Sequence, residues 1–449
     1  MLDPIAARDT VSALVERARR AGADAADAVY IGDRSQSVQV RMGALEDVAA
    51  SESEEIGLRV FIGQRSASVA SSALLPGALD ALVERVMAMA AKAPVDPFAG
   101  LAPTEFLLTN DPVELDLTDD SKVDPAQLKV RALAAEAAAL AVPRVINSSG
   151  AGASISASVM AIATSHGFAA ARRGSGHGVS ASVVAGEAGA LQRDYDYDSV
   201  RFLSDLRDAA DVGLHAGQRA AARLDPVKLA SGRMAVLFDP RVATSLLGHF
   251  TGAINGASIA RKASFLMDRL GERLFAPGIT IRDDPHRPRG MRSRAFDSEG
   301  LPTAPLNLID DGVLTTWLAE SAAARQLGIA PTGHALRGAS GAPGAGPSNL
   351  YLEPGLRTRA QLLAAFPRAV LITELIGMGV NGVTGDYSRG AAGFLVEHGE
   401  IVGPVSEITI ASNLLDMFAT LEPASDDLDL RHGIDSPTIL VPDMTVAAA

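Results

Sequence analysis

Ser37-Val38-Gln39-Val40-Arg41-Met42 and Leu58-Arg59-Val60-Phe61-Ile62 each alternate residues that prefer burial with residues that prefer water. A period of two is the pattern of a strand with one buried face. From Ala28 to Ser72 the alternation is punctuated near Gly32, Gly43 and Gly63, which predicts an antiparallel meander. The flanking segments change period. Val11, Leu14, Val15 and Ala18 fall at i, i+3, i+4 and i+7, predicting a helix over 9–22 capped by Asp9 or Thr10. Leu79, Leu82, Val83 and Val86 predict a second helix over 75–93. A sheet backed by helices from neighbouring segments is an α+β arrangement.

Proline interrupts the chain at 94, 97 and 103, so the stretch 93–103 cannot continue a helix, and a boundary is placed near residue 105. This gives an N-terminal α+β domain over 1–105 and a middle α+β domain over 106–228. The middle domain carries a helix over 125–141, strand-like segments at 143–149, 152–164 and 178–187, and a helix over 199–223. A C-terminal β-rich domain spans 229–449. There Met234-Ala235-Val236-Leu237-Phe238 reads as a buried strand, and Asp239-Pro240 as the cap and first position of a helix running through His249. Asp311-Gly312 supplies the positive φ angles of a hairpin turn.

Composition narrows the function. The 449 residues are 47% hydrophobic, enough for more than one core. With 40 basic and 53 acidic residues the net charge is -13, a field that repels phosphate backbones, so direct nucleic-acid binding is not expected. Met1 to Thr10 lacks a basic then apolar leader, and no apolar run approaches the ~20 residues of a membrane span. A cytoplasmic chain without a membrane partner fits. The absence of cysteine excludes disulfides and thiolate ligands.

Three motifs carry chemistry on paper. Gly377-Met378-Gly379-Val380-Asn381-Gly382 matches a dinucleotide loop and follows a strand-like run, but Val383 to Gly390 is turn chemistry where a helix N-terminus is needed. Gly174-Ser175-Gly176-His177 sets a hydroxyl beside an imidazole without the G-x-S-x-G elbow, and reads as a polar turn. The eight histidines, at 166, 177, 215, 249, 286, 334, 398 and 432, include no pair within five positions. None can form two-His ligation on one helix. Asp283-Asp284-Pro285-His286 and His432-Gly433-Ile434-Asp435 are local carboxylate and imidazole pairs that read as solvated loops.

Several segments resemble, in order, the TldD/PmbA family (peptidase U62), on its PmbA or TldE side. They include Asp96 to Pro103, Arg261 to Leu266, Phe296-Asp297-Ser298-Glu299-Gly300, Pro331 to His334, Thr384 to Gly390 and Pro404 to Ile410. The resemblance implies a heteromeric peptidase in which a TldD-type subunit carries zinc on an H-E-x-x-x-H helix, with a further cysteine ligand. Laid on this chain, the motif falls on His249, Phe250 and Ile254, and the cysteine region near Ser436. Catalytic zinc needs about three protein ligands and a carboxylate base. One imidazole remains, so this chain is expected to hold no catalytic residue and no metal, with zinc in the partner. The resemblance further implies unfolded peptide substrates, among them a peptide-antibiotic (microcin) precursor and a labile antitoxin, and the older name modulator of DNA gyrase. Asp297, Glu299, Asn381, Asp386, Tyr387 and Arg389 are candidates for the chamber or partner surface. Self-association stays open. The alternatives are a stand-alone protein that binds gyrase or an antitoxin, and a self-sufficient metallopeptidase with a non-standard site.

Overall fold

The computed structural model describes residues 1–187 and 190–448. Helix α1 (Pro4–Arg20) starts earlier than its apolar spacing suggests. Asp3, not Asp9 or Thr10, caps it by accepting from the N–H groups of Ile5 and Ala6, and Pro4 sits in its first turn. Strands β1 (Ala25–Arg41), β2 (Ala44–Ile62) and β3 (Arg65–Ser71) form the expected meander, and α2 (Pro76–Lys92) follows. Gly32 is not a turn. It continues β1, paired with Glu54 and Val159, and since a Cβ there would lie 2.5 Å from the Tyr30 hydroxyl, the bare backbone leaves the ring its space.

The connection after α2 does not separate two sheets. On its other edge β1 pairs antiparallel with β4 (Val145–Thr164), which is followed by β5 (Ala169–Ala185) and β6 (Gln192–Val200). One six-stranded sheet results, in the order β3-β2-β1-β4-β5-β6. Helices α3 (Pro125–Leu140) and α4 (Ala209–Ala222) complete this layer. The helix expected over 199–223 thus begins at Ala209, capped by Asp208. Upstream, β6 buries Asp194, Asp196 and Asp198 while exposing Tyr195 and Tyr197, so its alternation runs opposite to the usual polarity.

All four helices cover one face of the sheet. Tyr30, Leu58 and Ala161 pack under α1 and α2, and Val38, Ala153 and Val183 under α3 and α4. Tyr30 and Val38 are both even positions of β1 and therefore share a face. The opposite face carries Val29 and Ile162, which meet Phe168 of the β4–β5 turn and Phe296 of the C-terminal unit.

In that unit β7 (Gly232–Phe238) lies parallel to strand Arg368–Ile376 and antiparallel to strand Ile439–Ala448. Strands Asp386–Glu397 and Glu400–Asn413 continue the sheet, and pairing of Ile408 with Ala448 through Ala411 with Thr445 closes it into a barrel. A second, five-stranded sheet includes the hairpin at Asp311 and Gly312, whose φ angles are 44° and 80°.

Sheet and C-terminal unit are locked at one end. Buried Asp27 accepts from Arg59 at 3.1 Å and from Arg337 of the C-terminal unit. Burial opposes the Asp27 charge, but the two guanidiniums outweigh it and hold the carboxyl below its ordinary range. Phe168 and Phe296 meet edge to face with centroids 5.4 Å apart. A Cβ on Gly57 would sit 1.9 Å from the Ala339 carbonyl oxygen, so only glycine permits this approach.

Candidate functional site

Helix α5 (Pro240–Ala253) follows β7 directly, started by Asp239, whose side chain accepts from the Arg241 N–H, with Pro240 in its first turn. One face is core. Phe250 is 0% exposed and meets Phe275 and Phe418 edge to face, at 5.6 and 6.2 Å between centroids. Ile254 is also fully buried. The other face carries Arg241, Thr244, Ser245, Gly248, His249 and Gly252. A Cβ on Gly248 or Gly252 would meet nothing within 4 Å, so this face is open and has no side chain to spare there.

The first turns of α5 border a cleft of about 470 Å³, facing β6, α4 and the segment 427–436. Arginine and aspartate alternate around it. Asp196 pairs with Arg207 at 3.0 Å and Arg219 at 2.8 Å, and Asp194 with Arg241 at 2.9 Å. Arg359 bridges Asp239 at 3.0 Å and Asp427 at 3.3 Å, and Arg431 reaches Asp198 at 3.0 Å. Burial works against ionisation of Asp194, but the hydrogen bond from Arg241 outweighs it and keeps the carboxyl low. Ser436 lines the same cleft, buried, and donates its hydroxyl to the Pro437 carbonyl at 2.9 Å.

His249, half-buried, stands edge to face against Tyr387 with centroids 6.0 Å apart. Burial, then the nearby Arg389 charge, pushes its imidazole below the ordinary value, so it is neutral at pH 7. Among the described residues, His249 Nε2, Tyr387 Oη and Arg389 Nε are buried without a hydrogen-bond partner.

These residues do not fit a zinc ion. Between Pro240 and Ile254 the chain has one histidine and no Asp, Glu or Cys, so sliding the metal motif along the helix in either direction finds no second ligand. The positions assigned to the base and the second ligand, Phe250 and Ile254, are hydrocarbon and face the core. A serine hydroxyl that already donates to a carbonyl is no substitute for a thiolate. Among the described residues, no three His, Cys, Asp or Glu side chains converge as a metal site.

Three family profiles match in chain order: PmbA/TldA metallopeptidase domain 1 over 26–90, the central domain over 115–224 and the C-terminal domain over 231–448. The chain belongs to the PmbA/TldD metallopeptidase family. The metalloprotease PmbA of Escherichia coli O157:H7 is 38% identical over 412 residues, covering 92% of this chain and 89% of the relative. In fold, the chain is similar to a Bacteroides thetaiotaomicron protein named for DNA gyrase modulation, with TM-score 0.91 at 24% identity over 98% of this chain and 99% of that one. It is similar also to TldE from Thermococcus kodakarensis, with TM-score 0.85 at 19% identity over 98% and 100%. No helix in the described residues is long and apolar enough to cross a membrane.

Within this family fold, the other residues singled out from the sequence separate into exposed and buried sets. Asn381 and Asp386 are exposed, and they brace the loop: Asn381 Oδ1 accepts from the Val383 N–H at 2.9 Å, and Thr384 donates to Asp386 at 2.6 Å. Asp297 and Glu299 do not line a surface of this chain, being 1% and 3% exposed. Asp297 accepts from the N–H groups of Glu299, Leu301 and Ala335, which organise a turn. Glu299 accepts from the Ser321 N–H and hydroxyl, and burial pushes its carboxyl up to about 7. Tyr387, 1% exposed, is likewise interior, while Arg389 is half-buried.

Gly377 to Gly382 joins two strands with no helix behind it. Gly174 to His177 is not a turn but lies within β5, where glycines 174, 176 and 178 make room for the side chains of Ser158, Ser156 and Ser154 on β4. Ser175 is buried and donates to the Arg201 carbonyl at 2.8 Å, and His177 Nε2 lies 3.0 Å from Asp119. Burial opposes the Asp119 charge, but hydrogen bonds from Leu203 and Ser121 outweigh it and hold the carboxyl at about 2. With its hydroxyl committed and covered, this trio is structural. His286 contacts Thr303 at 3.2 Å, and Asp435 pairs with Arg287 at 2.9 Å, so neither local pair gathers a metal set. Sequence inspection missed the aspartates of β6. Their only signal was three carboxylates at alternate positions, 194, 196 and 198.

Proposed function

We propose that this chain is the non-catalytic subunit of a heteromeric zinc peptidase, paired in the cytoplasm with a TldD-type subunit that supplies the metal. It shapes the space through which unfolded peptides reach that zinc. The observation that carries this reading is the open face of α5, where a single imidazole stands among Arg241, Thr244, Ser245 and two glycines. A peptidase site needs a metal that polarises the carbonyl and a carboxylate that takes a proton from water, and this helix has neither acid nor second ligand. The family membership and the likeness to a TldE fold support a partner of TldD type. A peptide-antibiotic precursor or a labile antitoxin suits such an assembly, because an unfolded backbone can be held by sequence-independent hydrogen bonds.

The test mixes the purified chain with a TldD-type subunit and follows cleavage of an unstructured peptide. Zinc-dependent cleavage by the mixture, abolished by a chelator and absent from this chain alone, is expected. Failure to associate with such a subunit, or cleavage by this chain without it, contradicts the reading.

A further inference from the structure

Deeper along α5, a second cleft of about 270 Å³ lies between the edge strand β6 and the strand Arg368–Ile376. Four guanidiniums line it, those of Arg193, Arg223, Arg241 and Arg389, against two carboxylates, Asp194 and Glu374. Both carboxylates are committed. Asp194 pairs with Arg241 at 2.9 Å and Arg223 at 3.5 Å, and Glu374 pairs with Arg223. Arg193 and Arg389 make no ion pair among the described residues, which leaves a positive excess in a chain whose net charge is -13.

A second observation points to a ligand. Tyr387 lies two residues before Arg389 on one strand and so shares its face, and His249 lies one turn beyond Ser245, which lines the cleft. Tyr387 Oη, in a side chain 1% exposed, has no partner, nor do His249 Nε2 and Arg389 Nε. Buried polar atoms are normally satisfied; here Arg389 Nε can only donate and the Tyr387 hydroxyl is free to donate, so a carboxylate oxygen is an acceptor that would satisfy both.

We infer that this cleft holds the carboxylate of an extended peptide, with Arg389 and Arg193 as its guanidinium partners and Tyr387 Oη and His249 Nε2 as further hydrogen-bond partners. A planar guanidinium matches a carboxylate with two parallel hydrogen bonds. Asp194 and Glu374 in the same wall disfavour a dianion such as phosphate, while Tyr195, Val242 and Leu375 offer apolar surface to the terminal side chain. The inference rests on the reading above for the substrate class, an unfolded peptide. It assigns to this subunit the task of anchoring one end of the peptide.

The test uses the full chain without any partner subunit and measures fluorescence anisotropy of a labelled unstructured peptide with a free α-carboxylate, against its C-terminally amidated twin. Inorganic phosphate serves as competitor. The free acid is expected to bind roughly tenfold or more tighter than the amide, and Arg389→Gln and Arg193→Gln each to remove most of that difference. Arg389→Lys keeps only part of it, because an ammonium cannot form the paired bonds. Arg193 is exposed, so its variant remains decisive if Arg389→Gln fails to fold. Equal binding of acid and amide, discrimination untouched by either variant, or displacement by phosphate at concentrations comparable to the peptide overturns the inference. Zinc-dependent cleavage by the mixed subunits in the absence of such binding would leave the subunit reading standing and remove only the anchor.

Discussion

The six-stranded sheet meets the C-terminal unit in two places built from the same residue types, with opposite outcomes. At one end Asp27 sits buried between Arg59 and Arg337, and the same junction carries the apolar cluster of Val29, Ile162, Phe168 and Phe296. At the other, β6 and α4 face α5 across clefts where Arg241, Arg359 and Arg431 pair with aspartates but Arg193 and Arg389 do not. A guanidinium that shares a buried carboxylate in dry surroundings acts as a bolt. One that makes no ion pair and borders open space is available to a ligand. The contrast lies in ion pairing and access to water, which, more than residue type, separate a structural arginine from one open to a ligand.

The sharpest way to break that contrast is to remove the shared carboxylate. Asp27→Ala leaves two guanidiniums buried without their anion, and is expected to lower the stability of the chain by roughly 3–5 kcal/mol in a urea titration. A loss below about 1 kcal/mol would mean that the buried pairing contributes no more than an exposed ion pair.

Glu299, at the sealed junction, sharpens the comparison through pH. Its carboxyl rises from an unfolded 4.5 to about 7 in the folded chain, chiefly through burial. The folded state therefore retains a proton that the unfolded state has lost, and stability declines as pH rises through that interval. Glu299→Gln keeps an acceptor for Ser321 and never ionises. It should match the parent near the lower end of that interval and exceed it above the upper end, by up to roughly 3 kcal/mol. A parallel pH dependence for the two proteins by thermal melts would assign the shift elsewhere.

The smallest effect belongs to the open side. His249→Ala removes a half-buried neutral imidazole with no hydrogen bond at Nε2, and is expected to change stability by no more than about 1 kcal/mol and to leave zinc content unaltered. A large fall in bound zinc on this substitution would make His249 a ligand after all.

Much of this architecture can be read from the chain where local chemistry dictates it. Asp239-Pro240 specifies the start of α5, Asp311-Gly312 specifies its hairpin, and the alternation around Val38 and Val60 places the meander. Elements failed where tertiary partners override local preference. β6 carries buried aspartates neutralised by arginines far away in sequence, so its apolar and polar faces are exchanged. Asp297 and Glu299, candidates for a chamber or partner surface, are instead held inside by backbone N–H groups, against the usual exposure of carboxylates. That α5 offers one histidine and no Asp, Glu or Cys is a matter of residue identity alone. The grouping of His249 with Tyr387 and Arg389 is not, since nothing local ties the helix to that strand.

Equilibrium dialysis of the isolated chain against zinc, with the metal counted after removal of loosely held ions, tests the central claim most directly. Negligible zinc per chain, with no peptide cleavage by the same sample, is the predicted result. One tightly held zinc per chain, released when His249 is replaced and accompanied by proteolysis, would contradict it.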